Sequence, residues 1–385
     1  MTTLIDSPPH PESIHPQWLC SVDALDNWLS ALEAGQPVGL DSEFERTSTF
    51  YARPGLVQLA AGEQAWLVEP DVVAGSDSFR AFLSDPERPK LLYAMSEDLD
   101  LFREWLGVLP QGLIDLQLAG AFSGYGLSVG FAGMVRQVLG IELNKGQTRS
   151  DWLQRPLTED QQRYAMADAL YLLPLFEHFR GYLKLQGRME ALVEESSGFA
   201  RDQAAQGDEQ SYYLRVRGGW HLSPERQAVL RRLCMWRERR CRELDRPRGH
   251  VVADRLLIAV AEQLPRNLKA LGRIENLPPV VVRKHGEAIL DVIGCALDEG
   301  VPQDMQLIAA PLTRSEQQCF RAVKQILKKA LHDTGIPVEL MAPRRRLEPQ
   351  IRAGLEDGEV PAMLCTGWRG KLLSDWKPQL QELFQ

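Results

Sequence analysis

The fold is decided in the stretch Val38-Gly-Leu-Asp-Ser-Glu-Phe44, where three apolar residues lead directly into two acids. Strand side chains at positions i and i+2 point to the same side of a sheet, so Asp41 and Glu43 stand side by side where a buried strand emerges. Two carboxylates this close repel each other, and a hard divalent cation such as Mg²⁺ or Mn²⁺ bound between them relieves the electrostatic repulsion. The pattern predicts a metal site, with two surface acids on an edge strand as the alternative.

The segments after this strand predict an α/β domain. Gly55–Ala60 and Gln64–Val68 flank a short Ala-Gly-Glu turn, which is typical of a hairpin, so three consecutive antiparallel strands are expected. Strand and helix patterns then alternate as far as a predicted helix over Thr158–Phe179. Antiparallel strands followed by strand–helix units indicate a mixed central sheet.

The C-terminal half reads as all helix. Ser223-Pro-Glu opens a long helix that runs to about Leu244, and a second helical stretch begins near Thr313. Both stretches have a long first helix, a basic turn, short helices and a closing helix, which indicates a diverged internal repeat. With a polar linker after Gly198, the chain divides into residues 1–207, 216–295 and 312–385.

The totals limit the class of protein. With 385 residues, 44% of them hydrophobic and 25% charged, the chain has the composition of a globular protein with two or three domains. It contains no run of about 18 apolar residues and does not begin like a signal peptide. The six cysteines are scattered, with no Cys-x-x-Cys pair, so a cytoplasmic protein with reduced thiols is expected.

Charge is divided unevenly along the chain. Residues 1–200 contain 14 Lys and Arg against 28 Asp and Glu, whereas residues 201–385 contain 30 against 24. An acidic half suits cations and a basic half suits nucleic acid, although two solvated surfaces can differ this much by chance. The candidates for RNA contacts are two groups of arginines, one on the long helix and its exit and the other at Arg344–Arg346. The first group consists of Arg226, Arg231, Arg232, Arg237, Arg239, Arg240, Arg242, Arg246 and Arg248.

Further acids complete the first pair. Asp98 lies at a predicted helix start, and Tyr164 precedes Asp168 by four residues, so both project from one helix face. Four carboxylates are a reasonable ligand set for two metals about 3.5–4 Å apart, which clamp the oxygens of a phosphoryl displacement. A tyrosine hydroxyl beside them orients the attacking water. Taken singly, Asp98 is also explained as a helix-dipole partner and Tyr164 as a packing residue.

In the order and spacing of these motifs the sequence resembles the DEDD 3′→5′ exonucleases of the tyrosine type, and among them the ribonuclease D family. The resemblance is carried by Leu40–Tyr51, Leu56-Val-Gln-Leu59, Ser96–Leu99, Leu113-Ile-Asp115, Thr148–Leu157 and Tyr164–Asp168. The helical remainder resembles the helicase-and-ribonuclease-D C-terminal (HRDC) domain, clearly over about 216–295 and faintly over about 312–385.

The resemblance implies a ribonuclease-H-like exonuclease domain followed by two all-α domains. It implies that Asp41, Glu43, Asp98 and Asp168 bind two divalent ions, Mg²⁺ or Mn²⁺, and that Tyr164 positions the hydrolytic water. It also implies trimming of RNA 3′ ends, notably of tRNA precursors, with release of nucleoside 5′-monophosphates. The chain departs from the family at Tyr93, where histidine is common.

Other interpretations stay open at this level. A DNA exonuclease of repair or proofreading type uses the same chemistry, and a non-catalytic RNA-binding scaffold keeps the same fold. The intact set of acids argues against the scaffold. A monomer is expected because no heptad or exposed apolar stripe marks an oligomer. The candidates for phosphate contacts near the site are Lys145, Arg149 and Arg155, with a solvated loop as the alternative. The residues interpreted as structural are Asp115, Asp151 and His178.

Overall fold

The computed structural model describes residue 10 and residues 13–144, 146–147, 150–205 and 207–385. The described residues contain six strands, β1 Trp18–Leu19, β2 Val38–Glu45, β3 Arg53–Ala61, β4 Gln64–Val68, β5 Lys90–Leu92 and β6 Leu113–Asp115. Helices between and after them are α1 Val22–Ala31, α2 Pro70–Gly75, α3 Asp77–Ser84, α4 Ser96–Leu106, α5 Leu116–Phe122, α6 Phe131–Leu139, α7 Glu159–Leu170, α8 Leu172–Leu185 and α9 Met189–Ala205.

The rest of the chain is helical. Its α-helices are α10 Pro224–Leu244, α11 Arg248–Val251, α12 Asp254–Gln263, α13 Leu268–Leu271, α14 Pro279–Glu299, α15 Arg314–Ala330, α16 Val338–Met341, α17 Arg344–Asp357, α18 Ala362–Cys365, α19 Gly367–Leu372 and α20 Lys377–Gln381. Short 3₁₀ turns cover Tyr212–Arg215, Gly219–His221 and Ser374–Trp376. No helix of the described chain is both long and apolar enough to cross a membrane.

The strands form one sheet in the order β1-β4-β3-β2-β5-β6. β3 and β4 are antiparallel, whereas β4 pairs in parallel with β1 and β5 pairs in parallel with β2 and β6. Gly62, with φ +61°, supplies the left-handed residue that the β3–β4 turn needs. The predicted mixed sheet is confirmed, and the two-residue β1 was not predicted because it is too short to show a period.

The two faces of the sheet carry different cores. Val38 and Leu40 of β2 join Val57 and Leu59 of β3 in a core covered by α1, α3 and α4. On the opposite face, Leu56 and Ala60 pack with residues of α7 and α8. Strand alternation places Gly39, Asp41 and Glu43 on this second face, so the acids emerge beneath α7.

The chain folds as two compact units. The first unit comprises residues 1–45, 54–202 and 312–385, and the second comprises residues 46–53 and 203–311. Whether residues 312–385 are a diverged repeat and a domain of their own stays a prediction. Within the first unit they share a hydrophobic core with the sheet domain, in which Val323 and Leu347 belong to one cluster with Phe122 and Leu183.

Polar contacts reinforce this packing inside the first unit. The Trp368 indole donates a hydrogen bond to Glu195 (3.2 Å), and its ring lies edge-on to Phe122 with centroids 5.0 Å apart. Arg369 and Arg346 form ion pairs with the same Glu195 carboxylate at 2.7 and 3.1 Å. Glu195 and Arg369 are both buried, so removal of either would leave an uncompensated charge in the interior.

The second unit packs around α10, which contacts α12, α14 and the turn Tyr212–Arg215. Arg237 is fully buried on this helix, where it pairs with Asp254 at 2.6 Å and lies 4.9 Å from the centre of the Tyr212 ring. The carboxylate of Asp245, at the end of α10, accepts hydrogen bonds from the backbone N–H groups of Phe50 and Tyr51 (2.9 and 3.0 Å). The segment 46–53 therefore belongs to this unit.

Three local predictions were wrong in detail. The single helix predicted over Thr158–Phe179 is divided at Tyr171 into α7 and α8. Pro174 accounts for the break, because proline has no N–H to bond back to the preceding turn. Helix α4 begins at Ser96 with Met95 as its N-cap, so Ser96 is not the cap. The linker predicted after Gly198 is helical as far as Ala205.

Candidate active site

Two close contacts at Gly39 set the position of the strand that carries Asp41 and Glu43. A Cβ atom on Gly39 would lie 2.7 Å from the Ala169 carbonyl oxygen and 3.3 Å from the Ala60 Cβ atom. Glycine is therefore required at this point of β2, and α7 rests directly on the strand. The close approach brings the C-terminal end of α7 over the two acids.

Helix α7 begins with a capping box, in which Thr158 and Gln161 each accept a hydrogen bond from the other's backbone N–H. This start sets the rotation of the helix, so Tyr164 and Asp168 lie on one face, as predicted. The hydrogen bond from the Tyr164 hydroxyl to the Asp168 carboxylate opposes the burial that raises the Asp168 pKa. The Tyr164 ring packs against Trp152, with ring centroids 6.0 Å apart.

Three of the four predicted carboxylates meet. One oxygen each from Asp41, Glu43 and Asp168 lies within 4.8 Å of the others, and all three side chains are half-buried. The cluster combines two neighbours on a strand with a residue more than 120 positions later in the chain. Such a set of oxygens has the ligand type and spacing that a hard divalent cation requires.

Asp98 borders this cluster but is not one of the three. Its carboxylate accepts a hydrogen bond from the hydroxyl of Ser42, the residue between the two strand acids. Sequence reasoning did not identify Ser42, although it stands inside the Asp-Ser-Glu motif. Asp98 is 8% exposed, and burial, followed by the Asp41 charge, raises its pKa, so the two carboxylates are close enough to interact.

A second acid holds the turn before Asp98. The Asp115 carboxylate accepts hydrogen bonds from the backbone N–H groups of Ala94 and Met95, both 3.2 Å, and from that of Gln117 at 2.8 Å. Ala94 has φ +55°, a left-handed conformation that costs free energy for a residue with a Cβ atom. Asp115 offsets this cost and so sets the start of α4, which confirms its structural role.

The acids raise one another's pKa values. Burial, followed by the Asp168 charge, raises the pKa of Asp41 to about 8. Burial and the charges of Asp41, Asp168 and Asp98 raise the pKa of Glu43 to about 10. Burial raises the pKa of Asp168 to about 7. Without a counter-charge these groups would bind protons at neutral pH, and a divalent cation relieves the same repulsion.

The donor set fits divalent cations of the Mg²⁺ and Mn²⁺ type. All the converging atoms are carboxylate oxygens, and no thiol or imidazole belongs to the cluster among the described residues. A cleft of about 450 Å³ opens beside Tyr164 and Asp168, which is large enough for a nucleotide. The site therefore combines carboxylates that could hold a cation, a hydroxyl and access for a small part of a polymer.

The structure gives contacts for most of the other residues considered from the sequence. Arg155 pairs with Glu69 (2.5 Å) and donates to the Gly55 carbonyl, so it holds the loop against β3. The Tyr93 hydroxyl donates to the Val129 carbonyl at 2.6 Å. His178 is hydrogen-bonded to Tyr125 at 3.0 Å. Asp151 accepts from the Leu153 N–H group (3.0 Å). Lys145 and Arg149 lie outside the described residues.

Most arginines of the predicted RNA-binding helix are engaged inside the second unit. The ion pairs are Arg232–Glu299, Arg237–Asp254, Arg239–Glu209, Arg240–Glu243, Arg242–Glu238 and Arg248–Glu238. In the other candidate cluster, Arg344 pairs with Glu348 and Arg346 with Glu195. Buried partners such as Glu238, only 1% exposed, make several of these arginines structural.

A basic groove nevertheless remains in the second unit. It has a volume of about 690 Å³, and the charged and titratable residues among its described lining are Arg240, Arg246, His250, Lys284 and His285. Burial, and then the positive charges of Arg240 and Lys284, lower the pKa of His285. Positive charges that converge in this way favour an anion.

Comparison with known families and proteins gives a consistent result. The family described as “3'-5' exonuclease” matches residues 16–184, and the family described as “HRDC domain” matches residues 226–293. The chain is 37% identical to Ribonuclease D of Pseudomonas paraeruginosa, over 92% of this chain and 94% of that protein. It is 33% identical to Ribonuclease D of Escherichia coli, over 93% and 96%.

Solved structures agree. The crystal structure of Escherichia coli RNase D, described as an exoribonuclease involved in structured RNA processing, matches with a TM-score of 0.85 and 32% identity. The match covers 96% of this chain and 99% of that one. The catalytic core of RRP6 from Trypanosoma brucei matches with a TM-score of 0.54 at 20% identity, over 77% of this chain and 84% of that one, and so shares the fold.

Proposed function

The chain belongs to the ribonuclease D family and is a 3′→5′ exoribonuclease, and we propose that it trims the 3′ ends of tRNA precursors by two-metal hydrolysis. The products are nucleoside 5′-monophosphates. The observation that carries this proposal is the convergence of Asp41, Glu43 and Asp168, with Tyr164 hydrogen-bonded to the last of them. Divalent cations belong to this chemistry, and the number and kind of ion are part of the proposal.

Four carboxylates would hold the cations. Asp41, Glu43 and Asp168 would bind one ion, because their oxygens already lie within 4.8 Å of one another. Asp41 and Asp98 would bind the second, since Asp98 interacts with Asp41 from outside that cluster. Two cations, Mg²⁺ or Mn²⁺, supply stabilisation of the charge that develops on the attacking and leaving oxygens.

Tyr164 orients the attacking water. A hydroxyl that donates to Asp168 still has acceptor lone pairs, so it is able to accept a hydrogen bond from water. Packing against Trp152 restricts the ring, which lowers the entropy lost when the water is held. The terminal nucleotide would occupy the cleft beside Tyr164 and Asp168.

The second unit would contribute to RNA binding by itself. The groove around Arg240, Arg246 and Lys284 suits the phosphates of a single strand, and such contacts make binding dependent on salt. The division into an exonuclease domain at 1–207 and HRDC-like domains at 216–295 and 312–385 belongs to the same proposal. So do a monomeric state and a cytoplasmic location, where tRNA precursors are made.

The proposal is tested by a time course on a 3′-extended tRNA and a matched DNA strand, each labelled at the 5′ end. Reactions contain Mg²⁺, Mn²⁺ or EDTA. We expect a metal-dependent ladder on RNA that shortens one nucleotide at a time and stops near the mature tRNA end. Asp41→Asn protein, prepared identically, controls for a contaminating nuclease.

Each other outcome changes the conclusion. A ladder only on DNA would reassign the protein to repair or proofreading. Digestion that runs through the mature end would remove the tRNA-trimming part of the proposal. Tight, salt-sensitive binding without any ladder would support an RNA-binding scaffold and contradict the catalytic site.

A further inference from the structure

Gln58 lies in the centre of β3 with its side chain fully buried. Neither its amide nitrogen nor its amide oxygen has a hydrogen-bond partner among the described residues. A buried amide without partners costs free energy, so such a group in a folded protein calls for an explanation. The segment Leu56-Val-Gln-Leu59 was part of the family resemblance, yet the proposed mechanism gives its glutamine no role.

Other buried glutamines of the chain are satisfied. Gln227 donates to the Leu222 carbonyl (3.0 Å) and accepts from the Ile308 N–H group (2.7 Å). Gln161 accepts from the Thr158 N–H group at 2.9 Å and donates to the Asp151 carbonyl at 3.1 Å. Gln58 differs from both, although its burial is as complete. Its amide is therefore not retained to satisfy backbone groups of the described fold.

Close approaches between β2 and β3 locate this amide. The Cβ position of Gly39 lies 3.3 Å from the Ala60 Cβ atom, and that of Gly55 lies 3.1 Å from the Glu43 carbonyl oxygen. The two contacts run in opposite directions along the strands, so β2 and β3 are antiparallel. With Gly39 opposite Ala60, Asp41 stands opposite Gln58 on the same face of the sheet. Directly opposed residues have Cβ atoms about 4.5–5.5 Å apart.

The space around Gln58 is enclosed. On its other side Gln58 pairs with Leu67 of β4, and α7 packs across both β2 and β4 on the face that Gln58 shares with Leu56 and Ala60. Solvent does not reach the amide, since Gln58 is 0% exposed. By the strand register, the residue directly opposite Gln58 on β2 is Asp41, which carries a carboxylate.

We propose that Gln58 is a positioning residue of the metal site, whose side-chain amide, unpartnered among the described residues, donates a hydrogen bond to the Asp41 carboxylate when cations are bound and fixes its orientation toward them. The inference rests on the proposed function, because it assumes that Asp41 is a ligand. An ionised carboxylate offers about four lone-pair positions, so it accepts from an amide while it binds cations. Hydrogen bonds of this kind orient metal ligands, and their loss weakens metal affinity about 10- to 100-fold.

The test compares Gln58→Leu with Gln227→Leu in the full-length protein. Each variant replaces a buried glutamine by an apolar side chain of similar size. Two quantities are measured, the dissociation constant for Mn²⁺ by calorimetry and the midpoint of thermal unfolding in EDTA. For Gln58→Leu we expect Mn²⁺ to bind at least about 10-fold more weakly, with no fall in the unfolding midpoint. For Gln227→Leu we expect parental Mn²⁺ affinity and a lower unfolding midpoint, because two backbone groups lose their hydrogen-bond partner.

A second measurement does not depend on the fold of the variant. The side-chain NH₂ signals of Gln58 in the parent protein, assigned by selective labelling, should shift when Mg²⁺ is added. Those of Gln227 should not. Unchanged Gln58 signals, or Mn²⁺ binding by Gln58→Leu equal to that of the parent, would overturn the proposal.

Asp41→Asn separates the role of Gln58 from the metal site itself. Loss of Mn²⁺ binding in Asp41→Asn with parental binding in Gln58→Leu would reject the role of Gln58 and keep the metal site. Parental Mn²⁺ binding in Asp41→Asn would reject the metal site itself.

Discussion

Asp98 shows how one hydrogen bond changes the interpretation of a residue. Its place at the start of α4 is equally typical of a helix-dipole partner, which needs no particular neighbour. In the structure the carboxylate is buried and accepts from Ser42, between the two strand acids. A group that served only the helix dipole would have been left in water.

Asp98→Asn should keep the fold and lower turnover by about 10²–10³-fold, because one charge that balances the cations is lost. The asparagine oxygen still accepts from Ser42, so the unfolding midpoint should not fall. Single-turnover hydrolysis of RNA and thermal unfolding measure the two effects. Asp100→Asn, on the same helix, is the control, since Asp100 pairs at 3.0 Å with the partly exposed Arg103. Equal rates for Asp98→Asn and the parent would refute the site.

Tyr164→Phe tests the hydroxyl apart from the ring. The phenylalanine ring keeps the packing against Trp152, whereas the hydrogen bond that lowers the Asp168 pKa is lost. Turnover should fall by about 100-fold, and the acid limb of the pH–rate profile should move to higher pH. Mn²⁺ affinity at alkaline pH should match that of the parent. A lower rate with an unmoved acid limb would mean that the hydroxyl does not act on Asp168.

The raised pKa values predict how the metal-free protein responds to pH. Folded Asp41 and Asp168 bind protons more tightly than the unfolded chain, where the ordinary aspartate value is about 4. The stability that protonation of these two groups gives the folded protein is fully present below about pH 4. It is lost as the pH rises through the folded-state pKa values, about 7 for Asp168 and about 8 for Asp41.

In EDTA, the unfolding midpoint should therefore fall between mildly acidic and alkaline pH, and Mg²⁺ should restore it. Asp41→Asn removes one titrating group and should flatten the fall. Scanning calorimetry over this range measures both. Equal slopes for the parent and Asp41→Asn would show that the cluster does not titrate as described.

At the level of elements, the period of two in β2 and the spacing of four in α7 were sufficient to predict which side chains share a face. The contact between these elements was not predicted from either pattern. It depends on Gly39, whose missing Cβ atom lets the Ala169 carbonyl approach the strand. The break at Tyr171 then turns the chain into α8, which covers the sheet beside the site.

Gly39→Ala should separate α7 from β2. The new Cβ atom would meet a backbone oxygen at 2.7 Å, and overpacking of this kind lowers the free energy of unfolding by about 1–3 kcal/mol. Asp168 is the neighbour of the displaced residue, so Mn²⁺ affinity should fall as well. Urea denaturation and Mn²⁺ titration provide the two readouts.

Gly181→Ala is the matched control for Gly39→Ala. Gly181 lies in α8 with no heavy atom within 4 Å of the Cβ position, so alanine there should stabilise the helix by up to about 1 kcal/mol. If the two variants behaved alike, the close approach at Gly39 would not be what positions α7.

At the scale of the molecule, the two compact units have separate hydrophobic cores. The core of the first unit includes residues from α15 and α17, near the end of the chain, together with residues of α7 and α8. A helical pattern reveals that a face is apolar but not which surface will cover it. The shared cluster could therefore not be predicted from the helical pattern of residues 312–385, and their division from the sheet domain stays a prediction.

Leu347→Ala should weaken the active-site unit although Leu347 is far from the acids in sequence. Leu347 is fully buried in the shared core, and such truncations cost about 2–5 kcal/mol. Native-state hydrogen exchange at the amides of α7 should therefore become faster. Leu257→Ala, in the core of the second unit, is the control and should leave these amides unchanged. Faster exchange in α7 with Leu257→Ala alone would contradict the division into units.

The sequence by itself determined the type of chemistry. The acids, the tyrosine and the strand and helix periods on which they lie are local patterns, and local patterns can be recognised without knowing the fold. Only the tertiary structure decided that Ser42 bonds to Asp98, that the β2–β3 register sets Gln58 opposite Asp41, and that most arginines of α10 are paired. Each of these depends on the distance between residues remote in the chain or on the register of two strands. Packing sets those distances, because burial and hydrogen bonding are satisfied over the whole molecule and not within one segment.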